Sequence, residues 1–489
     1  MKTNFSELLA ALPKEDEMND ANGVEITQEQ LQAIFADLSL RPVPTGSLHR
    51  MWTLGELSTQ VALAYTALWI RGWFANAEKK KQQKMETNLR VALKMIHGLG
   101  YLRGAATKLG QAFGNLHLML PEQVISTFDM LRAQAPPMHY SLLREMVRNE
   151  LGKDPSEIFA TFDKEPFAAA SIGQVHRATL KSGETVAVKI QYPGIARAME
   201  ADVRNLMALI FPMRLTKNWE QVKGQCQAIH DMLREEVDYV HEAQNMRAAA
   251  ALFEPEDGIV VPRVFEKYST RKILTTEFLS GMNCEEFLAT NPPLSLRNNF
   301  GMKMGTAWYR LYYAYMNNGD PHSGNFVLMN DGRLGLLDFG CVQFFTPEER
   351  IIIDEGEQFL DGKMTLMDLL GKNGTATSAD LANPDYIATF QHHYDFLLKP
   401  LQTDGAFDYA DPAEFREGID SIQQIVQKRY IAAAPMYVYM VRSLFGMRAL
   451  AYRMGCRYDQ KPLRQNEIER RRKRGAHEKQ GDGHRIPQS

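Results

Sequence analysis

The 489-residue sequence predicts an α+β fold with two lobes, in which a small mixed lobe precedes a larger helical lobe. Three observations support this prediction. Residues 48–148 are rich in Ala, Leu and Met with few β-branched runs, which is typical of helices. Strand-like segments begin after Pro166, at Phe167–Ala178 and Glu184–Ile190, joined by the turn Lys181-Ser182-Gly183, and helical patterns return after Asn283. The expected divisions are a polar segment at 1–45, a helical extension at 46–165, a small lobe at 166–282, a helical lobe at 283–455 and a basic polar tail at 456–489.

The composition limits the classes of function. A net charge of −3 gives no reason to expect a nucleic-acid partner. The four cysteines, Cys226, Cys284, Cys341 and Cys456, form no CxxC pair, which favours a reducing compartment over a disulfide framework or a structural zinc site. The acidic N-terminus indicates neither a signal nor a transit peptide. We therefore expect a cytoplasmic protein that can lie peripherally at a membrane.

Two segments bear on membrane contact. Residues Leu57–Phe74 are apolar but include polar side chains and Arg71, so a buried or interfacial amphipathic helix is favoured over a spanning one. The run Arg470–Arg474 is interpreted as a solvated helix end or a disordered tail, with binding to anionic lipid or RNA as the alternative.

The segment Asn317–Asn325 and the triplet Asp338-Phe339-Gly340 have the layout of a kinase catalytic loop. In this layout Asp320 faces the phosphoryl acceptor. Asn325, five residues on, and Asp338, thirteen residues after that, supply the hard oxygen ligands that Mg²⁺ prefers. The sequence therefore predicts a magnesium-nucleotide site.

The residues between these two elements predict a tight hairpin. Phe326–Met329 and Leu334–Leu337 are short apolar strands, and Asn330-Asp331-Gly332 between them tolerates the positive φ of a turn. Such a hairpin would return Asp338 to the neighbourhood of Asn325.

A second group of residues predicts the nucleotide side of the site. Val186–Lys189 matches the strand whose lysine holds the α- and β-phosphates. This lysine needs a carboxylate partner, and spacing alone leaves Glu235, Glu236, Asp238 and Glu242 open. The loop before the strand holds Ala168-Ala169-Ala170-Ser171 where a kinase has glycines. Because alanine lacks the freedom of glycine at positive φ, we expect this loop to hold nucleotide differently, with Ser171 as a hydroxyl donor.

The helical extension carries one further candidate, Lys108-Leu109-Gly110-Gln111. On a helix Lys108 and Gln111 share a face, and Gly110 between them allows a close backbone approach. Without further context, a surface lysine beside a packing glycine is the simpler interpretation.

With these motifs in order, the chain resembles the UbiB-like atypical kinases, also called AarF-domain or ABC1-type kinases, in the branch that includes the ubiquinone-biosynthesis members. The motifs together cover about residues 45–345. They are the K-x-G-Q motif at Lys108–Gln111, the Ala-rich loop at Ala168–Ser171, the strand Val186–Gly194 and the E-x-D motif at Glu236–Asp238. The resemblance implies a two-lobed protein-kinase-like fold with an N-terminal helical K-x-G-Q extension.

The resemblance also implies a role for each matching residue. Lys189 would contact phosphates and pair with Glu242. Glu236 and Asp238 would anchor the K-x-G-Q helix, with Lys108 and Gln111 at the site. The remaining implied assignments are Ala168, Ala169, Ala170 and Ser171 for nucleotide, Thr276, Glu277, Phe278 and Leu279 for the adenine hinge, Asn325 and Asp338 for metal, and Asp320 for the catalytic position.

The activity implied by the resemblance is ATP hydrolysis or small-molecule phosphorylation in support of quinone or lipid metabolism. Its cofactors would be ATP or ADP with Mg²⁺ or Mn²⁺. Its partners would be an anionic lipid or a quinone-precursor lipid and other biosynthetic enzymes, at a membrane surface. The alternative is a nucleotide-gated scaffold that turns over little and organises such enzymes.

The residues after Gly340 agree with this implication. Thr346 and Glu349, with Pro347 at the first helical position, predict a capping box, so a helix begins almost at once. That leaves almost no activation loop, and it leaves no A-P-E sequence, with which a protein kinase seats its substrate.

The chain departs from the family pattern at two places. Asn318-Gly319 stands where a common family form has His-Ala, which puts the support of the catalytic loop in doubt. The C-terminal region is polar and basic where many bacterial members have a transmembrane tail.

Overall fold

A computed structural model describes residues 138–170, 172–197, 200, 234–235, 237–319, 321–373, 376–428, 430 and 435–479. Several predicted features lie outside these described residues: the K-x-G-Q segment with Lys108 and Gln111, the apolar stretch Leu57–Phe74, Ser171, Glu236 and Asp320.

Helices make up most of the C-terminal part of the described chain. The α-helices of all the described residues have the bounds α1 Tyr140–Leu151, α2 Pro155–Ile158, α3 Tyr239–Ala250, α4 Cys284–Ala289, α5 Leu294–Tyr313, α6 Pro347–Leu360, α7 Leu366–Lys372, α8 Ser378–Leu381, α9 Pro384–Gln402, α10 Pro412–Gln427, α11 Pro435–Arg453 and α12 Lys461–Lys479.

The strands are short. Their bounds are β1 Phe159–Phe162, β2 Ala168–Ala170, β3 Gly173–Leu180, β4 Thr185–Gln191, β5 Ile259–Val260, β6 Ile273–Glu277, β7 Gly281–Met282, β8 Met316–Asn318, β9 Phe326–Met329, β10 Leu334–Leu336, β11 Val342–Phe344, β12 Phe407–Asp408 and β13 Arg457–Tyr458.

The first sheet has the order β1-β3-β4-β6, with β2 paired to β3. It forms because its strands alternate apolar residues: Val186, Val188 and Ile190 of β4 are fully buried, while the residues between them are only partly buried. Gly183, at φ 101°, makes the turn between β3 and β4, so the predicted strands and turn are confirmed.

The chain divides into two compact units. The described residues of one unit fall within 1–155, 162–176 and 189–237. The other unit comprises residues 156–161, 177–188 and 238–489, again as far as they are described. The hairpin of strands β9 and β10 and all the helices from α3 onward belong to this second unit.

A second sheet, of order β5-β10-β9-β7, contains the hairpin β9-β10, and strands β8 and β11 form a separate pair. They lie beside α5, whose tyrosines form an aromatic core. Residues from later in the chain also belong to this core. Its buried members are Tyr309, Tyr312, Tyr313, Phe345, Ile353 and Met436.

The C-terminal helix α12 differs from the predicted solvated or disordered tail. Glu467 is 5% exposed and forms a bidentate ion pair with Arg310 of α5, with N···O distances of 2.6 and 2.9 Å. Arg470 and Arg471 of the basic run pair with Asp257 and Asp354. Only the remainder of that run, residues 472–474, is exposed as predicted. The helix docks because its few inward positions meet acidic and basic partners on other elements.

Across the ranges that the structure describes, no helix is both long enough and apolar enough to span a bilayer.

Candidate active site

The start of the predicted catalytic loop is hydrogen-bonded to the DFG triplet and to the residues that follow it. Strand β8 pairs antiparallel with β11, with Asn318 opposite Val342. The Gly319 N–H donates to the Cys341 carbonyl at 2.9 Å. The Asn318 side-chain amide donates to the Asp338 carbonyl at 3.1 Å. Asn318 belongs to the Asn-Gly pair that stands where a common family form has His-Ala, and in this chain its side chain links the loop to the triplet.

The hairpin that follows is the predicted one. Strands β9 and β10 pair antiparallel, with Phe326 opposite Leu336. The Leu337 N–H then donates to the Asn325 carbonyl at 2.9 Å. Since Leu337 directly precedes Asp338, the hairpin returns Asp338 to the neighbourhood of Asn325 as predicted, while their role as metal ligands stays a prediction.

The loop before the hairpin is a single 3₁₀ turn, Ser323–Asn325. The Asn325 N–H donates to the His322 carbonyl at 3.0 Å, and the Gly324 N–H donates to His322 Nδ1 at 3.1 Å. These two bonds fix the backbone that carries the Asn325 side chain, which is 7% exposed.

The DFG triplet is held from inside the protein. The Phe339 ring is fully buried, and the Phe339 carbonyl accepts a hydrogen bond of 3.0 Å from Asn245 of α3, which is 1% exposed. The Asp338 carboxylate accepts the Gly340 N–H at 2.9 Å, which turns the chain after the triplet. Sequence analysis did not single out Asn245. Its signal was a polar residue on the buried face of α3, three residues after Glu242, which is also 1% exposed.

The donors at the hairpin suit magnesium. An amide oxygen from Asn325 and a carboxylate from Asp338 are the hard oxygen ligands that Mg²⁺ takes. The bonds from Leu337 to Asn325 and from Asn318 to Asp338 hold the two residues just outside the paired ends of β9 and β10. The residues present therefore fit the metal that the sequence predicts.

The Ala-rich segment Ala168–Ala170 is strand β2, paired with β3 so that Ala168 lies opposite Val175 and Ala170 opposite Gly173. A side chain at Gly173 would overlap the carbonyl oxygen of Ile190. This glycine is a position that sequence analysis missed: it permits the close approach of β3 and β4 just after the loop.

Lys189 and Asp238 lie on different elements. Lys189 is on β4, on the partly buried face. Asp238 is the N-cap of α3, where its carboxylate accepts the Val240 N–H at 3.1 Å and pairs with Arg271 at 2.6 Å. The capping role explains why an aspartate stands at this position whatever else it contacts.

The predicted hinge, Thr276–Leu279, begins within the end of β6. Thr276 and Glu277 are the last two residues of that strand, and the Glu277 N–H donates to the Arg263 carbonyl at 2.8 Å. The Phe278 N–H donates to the Thr185 carbonyl at 3.1 Å. Leu279, 8% exposed, packs onto β10. The hinge segment is thus joined both to the first sheet and to the hairpin sheet.

Residues 130–355 match the family described as ABC1 atypical kinase-like domain. Over 307 residues the chain is 29% identical to AarF domain-containing kinase 1 of Drosophila melanogaster, covering 59% of this chain and 57% of the relative. Over 336 residues it is 28% identical to atypical kinase coq-8, mitochondrial, of Caenorhabditis elegans, covering 66% of this chain and 43% of the relative. The chain therefore spans about half the length of these curated relatives.

The structure is similar to that of Rv3197 from Mycobacterium tuberculosis, solved as a complex with erythromycin. The TM-score is 0.53 at 25% sequence identity, and the match covers 80% of this chain and 98% of that chain. Together with the family match, this similarity confirms the predicted α+β, kinase-like fold class.

Proposed function

Since this chain belongs to the UbiB-like (AarF-domain) atypical kinases through its ABC1 atypical kinase-like domain, we propose that it binds a magnesium nucleotide and hydrolyses ATP or phosphorylates a small molecule. In this proposal the activity supports quinone or lipid metabolism at a membrane surface, as the resemblance implies. A metal bound by Asn325 and Asp338 would neutralise charge on the nucleotide phosphates.

The observation that carries the proposal is the closed hairpin. The backbone bond from Leu337 to Asn325 brings Asn325 and Asp338 to neighbouring points of the chain, and Asn245 donates to the Phe339 carbonyl of the triplet. Phosphoryl transfer depends mainly on positioning and electrostatic stabilisation, so its rate depends on how rigidly the residues that bind metal and nucleotide are held.

The segment after the triplet favours a small acceptor or water over a peptide. Strand β11 begins two residues after Gly340, and α6 begins at Pro347 with the predicted capping box between Thr346 and Glu349. Because β11 is paired with β8, little free chain remains on which a peptide substrate could be seated.

The remaining residue roles are part of the same proposal. Lys189, with Glu242 as its carboxylate partner, would hold the phosphates, and the Ala168–Ser171 loop would contact the nucleotide. Thr276–Leu279 would receive the adenine. Lys108 and Gln111 would reach the site from the helical extension, anchored through Glu236 and Asp238, with Asp320 at the catalytic position.

Asp338→Asn tests the metal assignment. We expect it to abolish the rise in melting temperature that Mg-ATP gives the wild type, because the amide keeps the size of the carboxylate but loses its charge. Asp331→Asn is the matched control, since Asp331 lies in the turn of the same hairpin and is half exposed. Equal stabilisation of Asp338→Asn and wild type would refute the metal assignment.

Steady-state phosphate release tests the activity. Phosphate release is measured on vesicles without anionic lipid, on vesicles with anionic lipid, and on vesicles that contain a quinone-precursor-like phenol. We expect the turnover of the wild type to exceed that of Asp320→Asn. Turnover equal to that of Asp320→Asn under every condition, with nucleotide-dependent stabilisation intact, would favour the scaffold. Phosphate found on a purified protein partner would favour a protein kinase.

A further inference from the structure

Helix α11 packs directly against the catalytic loop at a glycine. A Cβ atom at Gly446 would come within 2.6 Å of Pro321 Cγ and within 2.9 Å of the Pro321 carbonyl oxygen. Real Cβ atoms do not come so close, and neither a proline ring nor a backbone carbonyl can rotate away. Any side chain at this position would therefore displace the helix or the loop. Pro321 is the residue that follows Asp320 in the sequence.

Glycine destabilises a helix interior relative to alanine. The close contact with Pro321 explains why a glycine nevertheless stands inside α11, because a larger residue would not fit there. By contrast, a Cβ atom at Gly356, in α6, would have no neighbour within 4 Å.

The same helix reaches the loop at a second point. Arg453 lies seven residues after Gly446, which is two helical turns and hence the same face. The Arg453 guanidinium donates to Glu285 Oε1 at 2.8 Å, and the Ser323 hydroxyl donates to the same oxygen at 2.7 Å. One stripe of α11 thus touches the loop at Pro321 and holds it at Ser323 through Glu285.

We propose that α11 positions the catalytic loop, with Gly446 as the packing position and Arg453 and Glu285 as the tether. The two supported residues, Pro321 and Ser323, lie between Asp320 and Asn325, so a shift of the helix moves the backbone on which both depend. Gly446, Glu285 and Arg453 are positioning residues, because they act through Pro321 and Ser323. The expected effect on turnover rests on the proposed function, whereas the expected effect on the loop does not.

Gly446→Ala tests the packing contact. We expect kcat for phosphate release to fall by roughly tenfold or more while KM for ATP changes by less than about twofold, because the displacement affects the reacting geometry and not the hinge or β4. We also expect faster hydrogen exchange at the Gly324 and Asn325 amides, which are hydrogen-bonded within the loop.

Two glycine-to-alanine variants serve as controls. Gly356→Ala adds its methyl group in open space and should keep wild-type kcat and loop exchange. Gly371→Ala, in α7, would place its Cβ atom 3.2 Å from Leu381 Cδ1, in a hydrophobic cluster whose named members all lie outside α11, so it should lower the melting temperature yet keep kcat per folded molecule. The pair separates loop displacement from general destabilisation.

Glu285→Gln keeps the proposal testable if Gly446→Ala does not fold, because Glu285 is half exposed. It removes the charge that links Arg453 to Ser323, and we expect kcat to fall by roughly threefold and loop exchange to rise. Arg453→Lys keeps the cation and should retain most of the turnover.

Wild-type kcat and wild-type loop exchange in both Gly446→Ala and Glu285→Gln would overturn the positioning role. If the wild type shows no turnover above Asp320→Asn, the proposed function fails, and hydrogen exchange at Gly324 and Asn325 alone then decides whether α11 holds the loop.

Discussion

Asn245 shows how a single buried amide can hold the proposed site together. It lies on α3, three residues after Glu242, and donates to the carbonyl of Phe339 in the DFG triplet. A buried amide is retained only where its hydrogen bonds are made, because an unsatisfied polar group costs free energy. The bond therefore couples the orientation of α3 to the position of Asp338, the residue before Phe339.

Asn245→Ala should destabilise the protein by about 1–3 kcal/mol, because the Phe339 carbonyl loses its buried donor. It should also reduce the rise in melting temperature caused by Mg-ATP. Urea unfolding with and without nucleotide measures both effects. Gln391→Ala is the control: Gln391 is exposed, and its bond to Asp395 faces solvent, so the change in unfolding free energy should be small. Equal effects of the two variants would contradict the role of Asn245.

At the scale of elements, the helical lobe encloses one histidine where three helices meet. His393 of α9 is 5% exposed, bonds through Nδ1 to the Ser421 hydroxyl of α10 at 3.0 Å, and stacks with the Phe445 ring of α11. Burial lowers the pKa of His393 to about 4, since a charged ring would lose its hydration there. Nearby His392 and Arg448 add repulsion in the same direction.

The packing of α9 on α10 and α11 should therefore weaken in acid. The unfolded chain binds a proton at His393 near pH 6.5, whereas the folded chain binds it only near pH 4. The neutral histidine therefore makes its whole contribution to the free energy of unfolding above pH 6.5, and that contribution is lost as the pH falls to about 4. The total loss should be about 3 kcal/mol.

Unfolding free energies of wild type and His393→Gln, measured from pH 7 to pH 4, test this expectation. The stability advantage of the wild type should shrink by the stated amount as the pH falls. Met367→Ala, altered at an exposed side chain of α7 that carries no titratable group, should keep a nearly constant difference from wild type. A constant difference for His393→Gln as well would refute the burial argument.

At the scale of the whole described chain, α12 joins the helical lobe through buried charges. Arg310 is 5% exposed and contacts both Glu467 of α12 and Asp257, with the guanidinium also over the Phe253 ring. Paired charges at such depth hold a specific arrangement, and removing one partner leaves the other buried without compensation.

Arg310→Met should destabilise the protein by about 3–5 kcal/mol, because two acidic groups lose their shared cation. Arg333→Ala is the matched control at an exposed pair with Asp331, where we expect a change within about 1 kcal/mol. Chemical unfolding of both variants measures the difference. An Arg310→Met protein as stable as Arg333→Ala would show that α12 does not depend on this pair.

Local patterns determined much of this protein. The hairpin, the capping box at Thr346 and the turn at Gly183 were predictable because each depends on residues adjacent in sequence: apolar strands, a turn that tolerates positive φ, and a side chain that satisfies helical N–H groups. The family resemblance followed from motifs of the same local kind.

Tertiary structure alone decided which distant residues support those motifs. Asn245 and Phe339 are 94 residues apart, and Arg310 and Glu467 are 157 apart. The packing of Gly446 on Pro321 also joins separate elements. No periodicity encodes such pairs, because a residue's partner across a fold is set by how elements pack and not by spacing along the chain. For the same reason the basic run at the C-terminus, which resembles a solvated tail in isolation, forms a docked helix once acidic partners from α6 and the turn before β5 face it.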